Sequence, residues 1–243
     1  FIIWNCYFYK SKNTVMRKYY FTITSILVFG LTSCSNEESK TQHQTASRPT
    51  VPVMAGEVQI GNQIWMTENL NVSRYRNGDP IPQVTNATQW ANLTTGAWCY
   101  YSNNTANGPI YGKLYNWYAV NDPRGMAPEG WHIPTDAEWT VLIDFLGGED
   151  VAGGKMKSIG TSFWISPNRA ATNNSGFTAL PGGHRNADLN ATFNTFGAWC
   201  SLWSSTEQNQ SGAWITYMDF NFAFARKDNP SKVMGHSVRC VRN

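Results

Sequence analysis

Between residues 139 and 146, Trp139, Leu142, Ile143 and Leu146 stand at a spacing of i, i+3, i+4 and i+7. That spacing puts all four on one stripe of an α-helix. The stretch before it, "GWHIPTDAEW" (residues 130–139), supplies the start. Thr135 and Glu138 make a T-x-x-E capping box: the hydroxyl accepts from the Glu138 N–H, and the carboxylate reaches back to the Thr135 N–H. Asp136 sits in the first turn, where the helix dipole favours a negative charge. Pro134 keeps Ile133 extended, and Gly147-Gly148 ends the helix. A shorter period marks "EVQIGNQIWMTENL" (57–70), read as two strands around a Gly61-Asn62 turn. "GAWCYYS" (96–102) fits either a strand or a short helix, whereas Leu114, Trp117, Tyr118 and Ala119 of "YGKLYNWYAV" (111–120) share one helical side and predict a helix. "AWITYMDFNFAFARK" (213–227) alternates with period two. Trp214, Thr216, Met218, Phe220, Phe222 and Phe224 form the face expected to be core. Ile215, Tyr217, Asp219, Asn221, Ala223 and Ala225 form a mixed, small and polar face expected to meet a ligand.

The same texture, short apolar runs broken by Gly, Asn, Pro and Ser, continues from about residue 55 to the end and predicts one loop-rich α+β domain. The front end differs. Met16 is followed by Arg17-Lys18, then "FTITSILVFGL" (21–31), then "TSC" ending at Cys34. A basic start and an apolar run too short to span a bilayer read as a secretory signal. "LTSC" resembles the lipobox of bacterial lipoproteins, which implies cleavage before Cys34, a lipid on its thiol and an anchor in the outer membrane. "SNEES" after it resembles the surface-export signal of Bacteroidetes lipoproteins and implies outward display. The expected organisation is upstream translation over 1–15, signal over 16–33, lipidated Cys34 and a polar tether over 34–54, and one domain over 55–243. Four of the 19 Lys+Arg and none of the 16 Asp+Glu lie in residues 1–34, so the processed chain sets 15 basic against 16 acidic side chains. That balance gives no nucleic-acid footprint. An exported domain with Cys99, Cys200 and Cys240 predicts one disulfide and one spare thiol, paired as Cys200–Cys240 or Cys99–Cys240.

Seven segments then stand in a recognisable order: "GNQIWMTENLN", "YGKLYNWYAV", "GMAPEGWHIPTDAEW", "AGGKMKS", "SGFTALPGGHRN", "LWSSTEQNQSGAW" and "GHSVRCVRN". Together they resemble the Fibrobacter succinogenes major paralogous domain over residues 57–243, a family of secreted proteins and lipoproteins. The Gly-Trp-x-x-Pro-Thr-x-x-Glu-Trp pattern and the C-terminal Gly-x-x-x-Arg-Cys also resemble the formylglycine-generating sulfatase-modifying group. That likeness implies a C-type-lectin-like fold with two small antiparallel sheets, about two helices and long loops.

Chemistry is expected to be absent. The copper-binding cysteine pair of the sulfatase-modifying oxidases has no counterpart, no His/Cys cluster has metal spacing, and Asp136 and Glu138 have structural roles. His132 is expected to be a hydrogen-bonding side chain, and Arg185 of "PGGHRN" to be buried in a turn against a carboxylate. The Glu-Pro-Asn, Gln-Pro-Asp and Trp-Asn-Asp triplets of calcium-dependent lectins do not occur; calcium itself stays open, since oxygen ligands are plentiful. The expected function is therefore adhesin-like binding of a glycan or a protein. Rigid aromatics among small hydrogen-bonders give the candidate surface: Trp203, Tyr217, Asp219, Asn221, Ala223 and Arg226. The alternatives are a structural envelope protein without a ligand, and an enzyme. The ending Gly-x-Ser-Val-Arg-x-Val-Arg adds another, a retroelement-diversified binder with variation on the Tyr217 face.

Overall fold

The computed structural model describes residues 56–243; Cys34, the signal and the tether lie outside the described residues. Eleven strands and five helices follow one another in this part of the chain. The strands are β1 Glu57–Ile60, β2 Gln63–Met66, β3 Trp98–Cys99, β4 Leu114–Tyr115, β5 Trp131–His132, β6 His184–Arg185, β7 Phe193–Asn194, β8 Trp199–Glu207, β9 Ala213–Asp219, β10 Ala225–Asp228 and β11 Val241–Arg242. The helices are α1 Ala87–Ala91, α2 Gly108–Tyr111, α3 Trp117–Val120, α4 Asp136–Phe145 and α5 Glu149–Met156. The architecture is α+β with small antiparallel sheets. Among the described residues the sheets number four, in orders β1-β2-β11-β5, β10-β9-β8, β3-β4 and β6-β7. Of the helices only α4 and α5 exceed five residues.

Gly61 turns the β1–β2 hairpin at φ +60°, in the left-handed region that glycine enters freely. The register Val58↔Trp65 lays Trp65 into the interior. β11 then inserts between β2 and β5, pairing Val241 with both Trp65 and His132. This sheet therefore joins the two ends of the domain, and Arg242 pairs with Glu57 beside it.

α4 begins as its sequence dictates: Thr135 Oγ1 accepts from the Glu138 N–H at 3.2 Å, and Glu138 Oε2 accepts from the Thr135 N–H at 2.8 Å. Asp136 does more than meet the dipole, since its carboxylate pairs with Lys227 of β10 at 2.9 Å. The stripe of Trp139, Leu142, Ile143 and Leu146 is buried, with Trp139 against Trp65 at 4.7 Å and Phe177 at 6.0 Å. The segment expected as one helix over 111–120 is divided. Tyr111 ends α2, β4 follows, and only Trp117–Val120 is helical. Asn116 accounts for the break, because its side-chain oxygen accepts from both the Ala97 and the Ala119 N–H, tying strand and helix at one residue.

Three apolar clusters make up the core, and each holds one cysteine: Cys200 the first, Cys240 the second, Cys99 the third. The expected disulfide is not formed; all three thiols are free and buried. Burial pushes each up to about 12, so they behave as apolar side chains. Arg185 also departs from expectation. It is buried on β6 and pairs with no carboxylate among the described residues, donating instead to the backbone oxygens of Ala191, Val84 and Thr85, its guanidinium 4.5 Å from the Trp90 ring. Arg239 is held the same way, by Asn69, Met66 and Phe177. Carbonyl dipoles and aromatic faces replace anions around these cations.

Candidate functional site

The β10-β9-β8 sheet carries the candidate surface. Its two faces do not divide into core and ligand sides as period two suggested. Along β9, Ala213, Ile215, Thr216, Met218 and Asp219 are all buried, while Trp214 and Tyr217 are half-buried. Both faces are covered for most of their length: Met218 and Ala225 pack into the first cluster, Ile215 and Trp203 into the second. Trp203 is thus no ligand residue. It is fully buried, donates its indole N–H to the Tyr115 carbonyl at 2.7 Å, and meets the His236 ring edge-on at 4.7 Å.

The alternation itself stops at Asp219. Its carboxylate accepts from the Asn221 N–H at 2.6 Å, an Asx turn that bends the chain into a hairpin loop over 220–224. Asp219 and Ala225 are consequently buried, whereas Phe222, expected in the core, is 49% exposed. Asn221 and Ala223 are half-buried on this loop.

What the sheet does expose is a run of rings at its loop end. Tyr217 lies opposite Ser201 on β8 and Arg226 on β10. Trp199 stacks on Tyr217 at 5.2 Å, Phe224 meets Tyr217 edge-on at 5.5 Å, and Phe222 stacks on Phe224 at 5.0 Å. The Arg226 guanidinium lies 4.6 Å above Phe224 and reaches Asp150 of α5 at 3.3 Å. Of the expected residues, Tyr217, Asn221, Ala223 and Arg226 share this ledge. Trp199, Phe222 and Phe224 belong to it too and were not among the expected surface residues; the Phe-x-Phe repeat after an Asp that can form an Asx turn was the available signal.

Beneath the ledge lie two histidines. His236 Nδ1 is 2.7 Å from Ser201 Oγ, and its Nε2 has no hydrogen-bond partner among the described residues. Burial, with His184 at 5.4 Å, holds His236 well below the usual imidazole range; burial lowers His184 too. Elsewhere, His132 bridges Glu138 and Asn243, each at 2.7 Å, on the rim of a cavity of about 290 Å³ that Arg76 and Ser205 also line. Burial raises the Glu138 carboxyl, but hydrogen bonds from the Thr135 N–H, His132 and the Thr135 hydroxyl outweigh it and leave the group lowered. A second hollow of about 280 Å³ is bordered by Thr94, Tyr118, Asn121 and Arg124. Among the described residues, no group of three or more His, Cys, Asp or Glu converges as a metal site.

Fold and ledge together define a class: a small-sheet α+β domain with buried, carbonyl-held cations and an aromatic ledge at one end of a sheet. Residues 58–242 match the model of the Fibrobacter succinogenes major domain, and the chain belongs to that family. No curated protein and no solved structure matches it.

Proposed function

We propose that the protein is a lipid-anchored component of the outer membrane, displayed outward through Cys34 and its tether, whose C-type-lectin-like domain binds an extracellular glycan. One observation carries the reading: Phe222 is stacked on one side by Phe224 and half exposed, at the end of a ring series bordered by Asn221 and Arg226. A sugar ring offers an apolar C–H face to such a ring and hydroxyls to the amide and guanidinium beside it. Burying one more face of an exposed ring contributes about 1 kcal/mol or more, so several subsites are needed for useful affinity. Support for binding over catalysis comes from the Ser201–His236 pair, which is sealed beneath the ledge, and from thiols kept neutral by burial. Calcium is not required by the ledge, whose polar groups include a cation.

Glycan-array binding by the purified protein, repeated with Tyr217→Ala and Phe222→Ala and with EDTA, tests the proposal. Binding that Tyr217→Ala abolishes, that Phe222→Ala redirects to other glycans, and that EDTA spares is the expected result. Capture of surface proteins without any glycan would replace the glycan by a protein ligand, and no ligand at all would favour a structural envelope role. EDTA-sensitive binding would bring calcium into the site. Metabolic labelling with a radioactive fatty acid, lost in Cys34→Ala, tests the anchor separately.

A further inference from the structure

The loop that ends the ledge is held by its main chain. The Lys157 ammonium, immediately after α5, donates to three backbone oxygens: Arg169 at 2.9 Å, Asp219 at 2.8 Å and Phe222 at 2.7 Å. The Arg169 N–H donates to the Phe220 oxygen at 2.7 Å, and the Gly154 N–H to the Ala223 oxygen at 2.8 Å. Close approach is essential here. A Cβ on Gly153 would overlap the Phe224 carbonyl, and one on Gly154 would stand 2.6 Å from the Ala170 oxygen. The carbonyls of residues 219, 220, 222 and 223 are therefore all satisfied from outside the hairpin, and none of these bonds involves a side chain of 220–224. Backbone oxygens are common to every residue type, so this attachment is indifferent to what the loop displays.

Within the loop the side chains fall into two groups. Phe220 packs against the first core cluster, and Phe224 is held between Tyr217 and Arg226. Among the described residues Asn221 is hydrogen-bonded only through its backbone N–H, in the Asx turn, and Phe222 has Phe224 as its ring partner.

We infer that Lys157, Gly153 and Gly154 are positioning residues that present the ledge, and that Asn221 and Phe222, on the loop they hold, are the positions that set which ligand the ledge accepts. The second half rests on the ledge being the binding surface. A compact ammonium with three donors suits three carbonyls from three segments. The planar fork of arginine does not reproduce that geometry, and methionine removes the ammonium donor from all three oxygens, leaving the Asp219 oxygen only the long 3.5 Å bond from the Phe222 N–H.

Hydrogen exchange of the purified protein, read by mass spectrometry alongside the glycan array, tests both halves. In Asn221→Ala and Phe222→Ala, amides 219–224 should exchange within about twofold of the parent while the array profile changes. In Lys157→Met and Gly153→Ala, the same amides should exchange at least about tenfold faster, with β1, β2 and α4 unaltered and binding lost. Lys157→Arg should leave the loop amides only partly protected. The positioning role is overturned if Lys157→Met leaves loop exchange unchanged, or if Phe222→Ala speeds it as much. The specificity role is overturned if Asn221 and Phe222 substitutions leave the array profile intact. A parent protein that binds no glycan removes the ledge reading and the specificity role with it; exchange still decides the positioning role.

Discussion

Arg239→Met asks whether carbonyl-held cations stabilise this fold. The side chain is fully buried and makes no ion pair among the described residues. Its Nε and Nη2 donate to Asn69 Oδ1 at 3.1 and 2.7 Å, and its Nη1 donates to the Met66 and Phe177 oxygens, with the Phe177 ring 4.5 Å from the guanidinium. Burial lowers its pKa from 12.5 to about 10. That shift means the folded protein carries the charge at a cost of roughly 3 kcal/mol, which methionine would relieve. Against this, three acceptors lose their donors, at about 1–3 kcal/mol each. The acceptors win: the variant should be destabilised by about 3 kcal/mol, equivalent to a fall in Tm of about 6–12 °C for a domain of this size. Urea unfolding followed by tryptophan fluorescence measures it, since Trp65 lies beside Phe177 at 5.7 Å. An Arg239→Met protein as stable as its parent would show that the charge is a burden its hydrogen bonds merely offset.

The buried histidine makes stability depend on pH. Because the folded pKa of His236 lies below its reference value of 6.5, its contribution is complete above pH 6.5. Below that, the unfolded chain takes up a proton the native state refuses, and stability falls by about 1.4 kcal/mol per pH unit until the native group protonates. His236→Gln should flatten the stability profile between pH 6.5 and 5 relative to the parent; parallel profiles would contradict the assignment. Thr135→Ala should cost about 1 kcal/mol by removing one side of the capping box, measurable by the same unfolding curves. Alkylation under native, non-reducing conditions followed by peptide mapping should leave Cys99, Cys200 and Cys240 unmodified, and all three should react once the chain is denatured. A disulfide-linked peptide pair would refute the free-thiol arrangement.

Local signals were the legible ones. A capping box, an apolar stripe and a double glycine describe α4 because each acts within one or two turns of its own residue. The β1–β2 hairpin was readable for the same reason. Period two, by contrast, states only that Tyr217 and Met218 point opposite ways; it does not say which side is covered. Here β9 is covered on both sides until its last residues, so Trp203 and Ile215 went inside while Trp199 stayed half-buried and Phe222 exposed. The Asx turn at Asp219 then cancelled the alternation for the three Phe residues beyond it.

The cations were harder still, for a physical reason. Arg185 was expected to seek a carboxylate, but a loop-rich domain has many carbonyls that no helix or strand claims, and these need donors as much as a cation needs acceptors. Lys157, Arg185 and Arg239 each meet that demand by donating to oxygens from distant segments. Such a bond leaves no mark on the residue that accepts it, so sequence patterns cannot reveal the pairing. The same fact has a functional side. A fold tied through anonymous carbonyls constrains the side chains of the tied loop very little, and the ledge end of β9–β10 is where that freedom reaches the surface.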